Sequence, residues 1–317
     1  MNRRYFLRNS GLLAASPLAL SYLASCQSAE KNASEAEATG LSPLGDFGIQ
    51  LWTVKEEMAK DPKGTLKSLA RFGYTQIESF QGADGIFWGM SAADFKSYTT
   101  DLGLQVISSH TDPEFALKPE KLDAFKQLVE EAQVVGLSHV INPYLGFLKT
   151  LDDFKKATEQ FNVLGEIAQQ AGMKYGYHNH HYSFTKMGDE YPQDVMMAGT
   201  DADKVDFEMD LYWVVAAQQD PAAWMAKYPG RFKLLHLKDM YKADKIEDIK
   251  KTEEINPAFP LNASCLLGTG QIDFAALVKA GKTHGAERFI MEQERFDGTT
   301  LMEAAEKNAQ FLKALTA

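Results

Sequence analysis

From Asp46 onward one punctuation recurs along the chain: a helical stretch closes on a glycine and a short β-like run follows. Glycine just past a helix end accepts the left-handed conformation that terminates the helix. Gly73 precedes Tyr74–Glu78, Gly103 precedes Leu104–His110, Gly136 precedes Ser138–Asn142, and Gly172 precedes the run beginning at Lys174. With Phe47–Trp52, Val205–Leu211, Phe232–Lys238 and Arg288–Glu292 there are eight such runs. Helical patterns are expected at about Lys55–Arg71, Ser91–Leu102, Lys121–Val135, Leu151–Ala171, Pro221–Lys227, Phe274–Lys282 and Leu301–Leu315. Eight βα units over about 270 residues give the length of a (β/α)8 TIM barrel and the wrong count for most doubly wound sheets. The expectation is one α/β domain over residues 45–317.

The first 25 residues read as a processing segment. Asn2-Arg3-Arg4-Tyr5-Phe6-Leu7-Arg8 matches the twin-arginine export pattern, and the apolar run Gly11–Ala24 is too short to span a membrane comfortably. The run ends in Leu23-Ala24-Ser25-Cys26, which resembles a bacterial lipobox with Cys26 as the acylated residue. Residues 26–44 then read as a disordered tether. The expected location is periplasmic, with the membrane reached only through the N-terminal lipid. Cleavage removes Arg3, Arg4 and Arg8 and no acidic residue, taking the formal charge from −10 to −13. So acidic a body has no general attraction for nucleic acid. Cys265, the other cysteine, reads as a small packed residue.

In a TIM barrel, chemistry collects at the C-terminal ends of the strands. The polar residues there are Gln50, Glu78, His110, Asn142, His178, His180, Glu208, Asp210, His236, Lys238, Glu292 and Glu294. Three of the seven histidines fall at positions 178, 180 and 181. On a strand, His178 and His180 share one face while Asn179 and His181 take the other. Carboxylates and imidazoles inside an apolar barrel must be paired or metal-bound. A His, Asp and Glu set without thiolate suits one divalent ion, Mn, Zn, Co or Mg. Trp52, Phe87, Trp88 and Trp213 offer faces for a sugar ring, or fill the core. His139 and His284 fall away from strand ends and read as structural. Gly268-Thr269-Gly270 reads as a turn leading into a helix at Asp273 in preference to a phosphate site. Lys238 and Arg295 serve either an anionic group or neighbouring acids.

The combination Gly48-Ile49-Gln50-Leu51-Trp52, Ser108-Ser109-His110, Tyr177-His178-Asn179-His180, Asp210-Leu211-Tyr212-Trp213, His236-Leu237-Lys238-Asp239, Gly268–Asp273 and Met291-Glu292-Gln293-Glu294 resembles the xylose-isomerase-like TIM barrels called sugar phosphate isomerases/epimerases. That family also includes inosose dehydratases, tagatose epimerases and endonuclease IV. The resemblance implies a metal held by Asp210, His236 and Glu292, with His178 standing where the family carries a fifth-strand glutamate. It further implies proton carriers among Glu292, Glu294, Glu208 and His110, and substrate contacts among Gln50, Trp52, Glu78, Trp88, Asn142, His180, Trp213 and Lys238. Family epimerases use two glutamates on opposite sides of the substrate, with the metal stabilising an enediolate. The expected activity is a metal-dependent isomerase or epimerase on an unphosphorylated sugar or keto-sugar. The alternative, favoured by the missing glutamate, is a lyase or hydrolase on a 3-keto-glycoside. A third reading, from another class, is a noncatalytic sugar-binding lipoprotein. The expected partner is a small carbohydrate, with self-association into a homo-oligomer left open.

Overall fold

The computed structural model describes residues 44–253 and 262–316; Cys26 and the export pattern lie outside the described residues. Eight parallel strands close a barrel: β1 Gly48–Gln50, β2 Gln76–Phe80, β3 Gln105–His110, β4 His139–Asn142, β5 Lys174–His178, β6 Val205–Asp210, β7 Phe232–Leu237 and β10 Arg288–Met291. Between β7 and β10 lies an antiparallel ribbon of β8 Asp239–Met240 and β9 Ser264–Cys265. The (β/α)8 expectation holds. Helices surround the barrel and bury the outward strand residues, while Ile107, Ile141, Leu234 and Ile290 form a separate cluster. A Cβ at Gly176 would lie 3.0 Å from the Ile141 side chain, so this close approach favours a residue without one. The ring joins its own ends, with the Leu44 amide donating to the Leu315 carbonyl at 3.0 Å and the Tyr74 hydroxyl to the Ala305 carbonyl at 2.8 Å.

Several boundaries differ from the pattern in the sequence. The first helix divides into Lys55–Lys60 and Pro62–Phe72, because Pro62 has no amide to continue the ladder and Asp61 caps the second piece through the Gly64 amide. Strand β5 stops at His178, since residues His181–Phe184 turn into a 3-10 helix tied back by a 2.8 Å Tyr177–Ser183 hydroxyl contact. The helices Pro192–Gly199, Leu211–Ala216 and Ala243–Thr252 were not anticipated. Leu211–Ala216 follows β6 with no intervening loop, and its signal was the cap, Asp210, whose Oδ1 accepts the Trp213 amide at 3.3 Å.

The Gly268-Thr269-Gly270 turn holds a carboxylate of the chain itself. Asp239 accepts from the amides of Gly268 and Gly270 at 2.9 Å, of Ile272 at 3.2 Å and of Met240 at 2.8 Å. A side chain at Gly270 would collide with the Met240 carbonyl, which explains the glycine. Four amides depend on one fully buried carboxylate, so Asp239→Ala is expected to cost on the order of 3 kcal/mol or more. Urea denaturation with an unchanged m-value checks this prediction.

Candidate active site

The alternation that builds the barrel also selects what it points inward. Tyr175 and Tyr177 of β5 face outward and pack on Phe161, with ring centroids 5.3 and 5.6 Å away, so Gly176 and His178 face in. Register sets His178 beside Glu208 and Asp210 beside His236. Asn179, on the opposite side as expected, braces β5 against β6 by accepting the Asp210 amide at 3.1 Å and donating to the Asp210 carbonyl at 3.3 Å.

Glu208 is the hub. Its Oε2 accepts from His110 Nε2 at 2.8 Å and His178 Nδ1 at 3.0 Å, and its Oε1 lies 3.2 Å from His236 Nε2. His236 is gripped on both ring nitrogens, by Glu292 at 2.6 Å and Glu78 at 2.7 Å. Glu78 also accepts from Gln50 Nε2 at 2.8 Å and Ser108 Oγ at 2.6 Å. Burial draws the His236 imidazole down, but Glu208, Glu78 and Glu292 outweigh it and hold it well above its ordinary range. His178 goes the other way. Burial takes its pKa down to about 4, against the pull of Glu208, so the ring is neutral.

The tautomer of His178 follows from these contacts. With Nδ1–H given to Glu208, the lone pair stays on Nε2, which lies 3.9 Å from Asp210 Oδ2. That carboxylate oxygen is buried and has no hydrogen-bond partner among the described residues. Burial pushes Asp210 up to about 7, although Lys238 Nζ is 3.9 Å away. Lys238 is itself buried, ion-paired with Glu294 and 3.6 Å from Glu292 Oε1.

Ligand atoms of His178, Asp210, His236 and Glu292 all lie within 4.8 Å of one another. An unpartnered carboxylate oxygen beside the free lone pair of a neutral imidazole fits a divalent ion, and the mixed N and O donors suit Mn, Zn, Co or Mg. His110, His178, Glu208 and His236 also converge within 4.8 Å, but there all three imidazoles give an N–H to Glu208 or Glu78, whereas in the first set His178 Nε2 and Asp210 Oδ2 are unengaged and only the His236–Glu292 contact must open.

A cavity of about 660 Å³ opens over this cluster. His110, His178, His180, Glu292, Glu294 and Trp52 line it; Gln50, Glu78, Trp88, Asn142, Glu208, Trp213 and Lys238 do not. Gln50 and Asn142 are spent on the backbone, accepting the amides of Trp52 at 2.9 Å and Tyr144 at 3.0 Å. Trp88 packs behind Phe80 and donates to Ser79 Oγ at 3.2 Å, and Trp213 backs His180 at 5.1 Å between ring centroids. His139 is structural, facing Asp206 at 3.1 Å. The sequence pattern missed Phe80, Pro113, Phe115, Pro143 and Tyr144 of the cavity wall. Several stand within three residues past a strand end, where no periodicity marks them.

A family model described as xylose isomerase-like TIM barrel matches residues 66–315. The chain belongs to that family. A solved sugar phosphate isomerase/epimerase from Parabacteroides distasonis is 31% identical, with a TM-score of 0.68 over 85% of this chain and 93% of its own. An inosose dehydratase of Clostridium beijerinckii is 30% identical over 50% of this chain and 49% of its own length. The chain thus spans about half the length of the curated relatives it matches. The IOLI protein, solved with a bound zinc atom, shares the fold at 16% identity and a TM-score of 0.65, over 84% of this chain and 95% of its own. Membership makes the chain a xylose isomerase-like TIM barrel, and the cluster above is its candidate divalent metal site.

Asp210 offers a test of that site. An acid whose folded pKa is raised binds its proton more tightly when folded, so stability falls as pH climbs from its unfolded value to about 7. At pH 8 the metal-free Asp210→Asn protein is expected to gain on the order of 2 kcal/mol, while divalent binding weakens roughly a hundredfold. Thermal melts with and without Mn²⁺ or Zn²⁺ read both effects, which have opposite signs.

Proposed function

We propose that the chain is a metal-dependent lyase that enolises a keto-sugar and expels the substituent β to its carbonyl. The observation that carries this reading is His178. Of the four converging ligands, only His178 and Glu292 reach the cavity wall, and burial keeps His178 neutral. Two-base epimerisation needs a proton carrier on each side of the substrate; elimination needs one. A bound divalent ion would polarise the substrate carbonyl and make the neighbouring C–H more acidic.

The protein groups then divide the work. Burial pushes the Glu292 carboxyl up, but Lys238 and His236 outweigh it and keep the group ionised, ready to accept the proton. The C–H electron pair becomes the new double bond, and the bond to the β substituent breaks with its pair left on oxygen. That oxygen takes a proton from solvent, and nothing is oxidised or reduced. His110, 2.8 Å from Glu208, keeps that hub fixed. The dehydratase relative, named for an elimination, supports the reading. The isomerase/epimerase relative supports the second one, for which Glu294 or His180 on the cavity wall would return the proton.

Metal-loaded protein mixed with a 3-keto-glycoside in heavy water separates the two. Release of the aglycone with an unsaturated sugar is expected; deuterium entering an intact glycoside or its epimer would favour the isomerase. Glu292→Gln should lower kcat on the order of a thousandfold with aglycone release as the readout.

The export pattern and Cys26 support a periplasmic lipoprotein, a setting in which an unphosphorylated substrate is the natural one. Under this reading Cys26→Ser moves the protein from the membrane fraction to the soluble fraction on detergent partitioning.

A further inference from the structure

The cavity is larger than one sugar ring requires. At about 660 Å³ it falls among pockets that hold drug-sized ligands, several times the volume of a hexose. One end carries the chemistry, with His178, His180, Glu292 and Glu294. Away from these the wall is largely apolar, an arm of Phe80, Pro113, Phe115 and Pro143, and Tyr144 packs against His180 at 5.2 Å between ring centroids where the two parts meet.

Trp52 links Phe80 of that arm to Glu294 and is an exposed large apolar residue at 38% exposure. Its position is fixed from three sides. Nε1 donates to Glu294 Oε1 at 3.1 Å, the ring meets Phe80 edge-on at 5.0 Å, and the Lys55 ammonium sits 3.8 Å from its ring centroid. Glu294 is in turn anchored by its ion pair with the buried Lys238. An indole held this way gives up little freedom when a ligand covers it.

We infer that this arm is a leaving-group subsite selecting an aromatic aglycone, so that the substrate is an aryl keto-glycoside. The identity of the bound group as a leaving group rests on the lyase reading above; the subsite's preference does not. A second sugar would need a dense set of free donors and acceptors along the arm, and its cation and its threonine are already bonded within the chain. Lys121 pairs with Asp112 at 2.6 Å, and Thr111 Oγ1 donates to the Ile141 carbonyl at 3.1 Å. An aromatic ring asks only for the apolar faces that are present, and ring-on-ring contact adds to the area it buries.

Calorimetry with unoxidised phenyl, methyl and disaccharide β-glucosides, which cannot be enolised, tests the preference without turnover. The metal-loaded protein should bind the phenyl glucoside about tenfold or more tighter than the methyl glucoside, and Trp52→Ala should shrink that ratio at least about fivefold. Circular dichroism checks that the variant is folded, and Tyr144→Ala is read the same way should Trp52→Ala melt early. Equal affinity for phenyl and methyl glucosides, tighter binding of the disaccharide, or a loss in Trp52→Ala shared by both ligands would overturn the inference. A phenyl preference in a protein that releases no aglycone from the 3-keto form would instead sink the lyase reading and leave the subsite standing.

Discussion

Charges taken out of water must be compensated by one another, and the upper end of this barrel is built around that demand. Glu78, Glu208, Asp210, His236 and Lys238 are all essentially inaccessible to solvent. Cations come from His236, His110 and Lys238, whose protons nearby carboxylates retain against burial. Glu208 and Glu292 stay ionised in their company. Glu78 and Asp210 are pushed the other way, burial raising both, with Glu208 adding to the rise at Glu78 and Glu292 to that at Asp210. In the metal-free protein these two carboxyls are where protons most readily make up the charge. A divalent ion supplies two positive charges at once, so binding it and releasing protons are coupled.

The same demand accounts for what could be seen in the sequence. A carboxylate or imidazole two residues from another, at the end of a β-like run, has few uses in an apolar barrel. Glu208 with Asp210, His236 with Lys238, and Glu292 with Glu294 therefore stood out without coordinates, as did the glycines that close the helices. His180 was assigned to the right place through the wrong element. It lies beyond the end of β5, yet its ring is 5.2 Å from that of His178 because the following 3-10 turn folds back. Strand position could not separate residues that face the cavity from residues that hold the wall. Gln50 and Asn142 sit at strand ends, but each caps a turn two residues on, an interaction that depends on loop geometry. The apolar arm was illegible for a related reason, since Phe80 closes β2 while Pro113 and Tyr144 follow their strands in segments with no period.

The charged groups around the rim also speak to the ligand. Helix N-termini and glycine turns at this end of a barrel are common phosphate sites. Here the glycine turn after the ribbon is filled by Asp239, which already accepts its amides. Lys121 has Asp112 and Glu114, Lys238 has Glu294, and Arg295 has Asp297 and Glu253, each pair in contact. A phosphate would have to displace an internal carboxylate to gain any of these cations. The cations named here are thus already neutralised by carboxylates of the chain itself.

His178 and Glu208 are best understood as one unit. A glutamate at position 178 would set a second carboxylate against Glu208 where the two now share a 3.0 Å hydrogen bond, with like charges in low dielectric raising each other's pKa. Histidine removes that conflict, because its Nδ1–H satisfies Glu208 while its other nitrogen keeps a lone pair for the cavity side. The exchange carries a chemical consequence, since an imidazole whose one proton is tied to Glu208 and whose lone pair points to Asp210 and the candidate metal position has no free atom left to take a proton from substrate. The hydrogen bond that makes the buried glutamate tolerable thus also takes proton abstraction away from this side of the cavity and leaves it to Glu292.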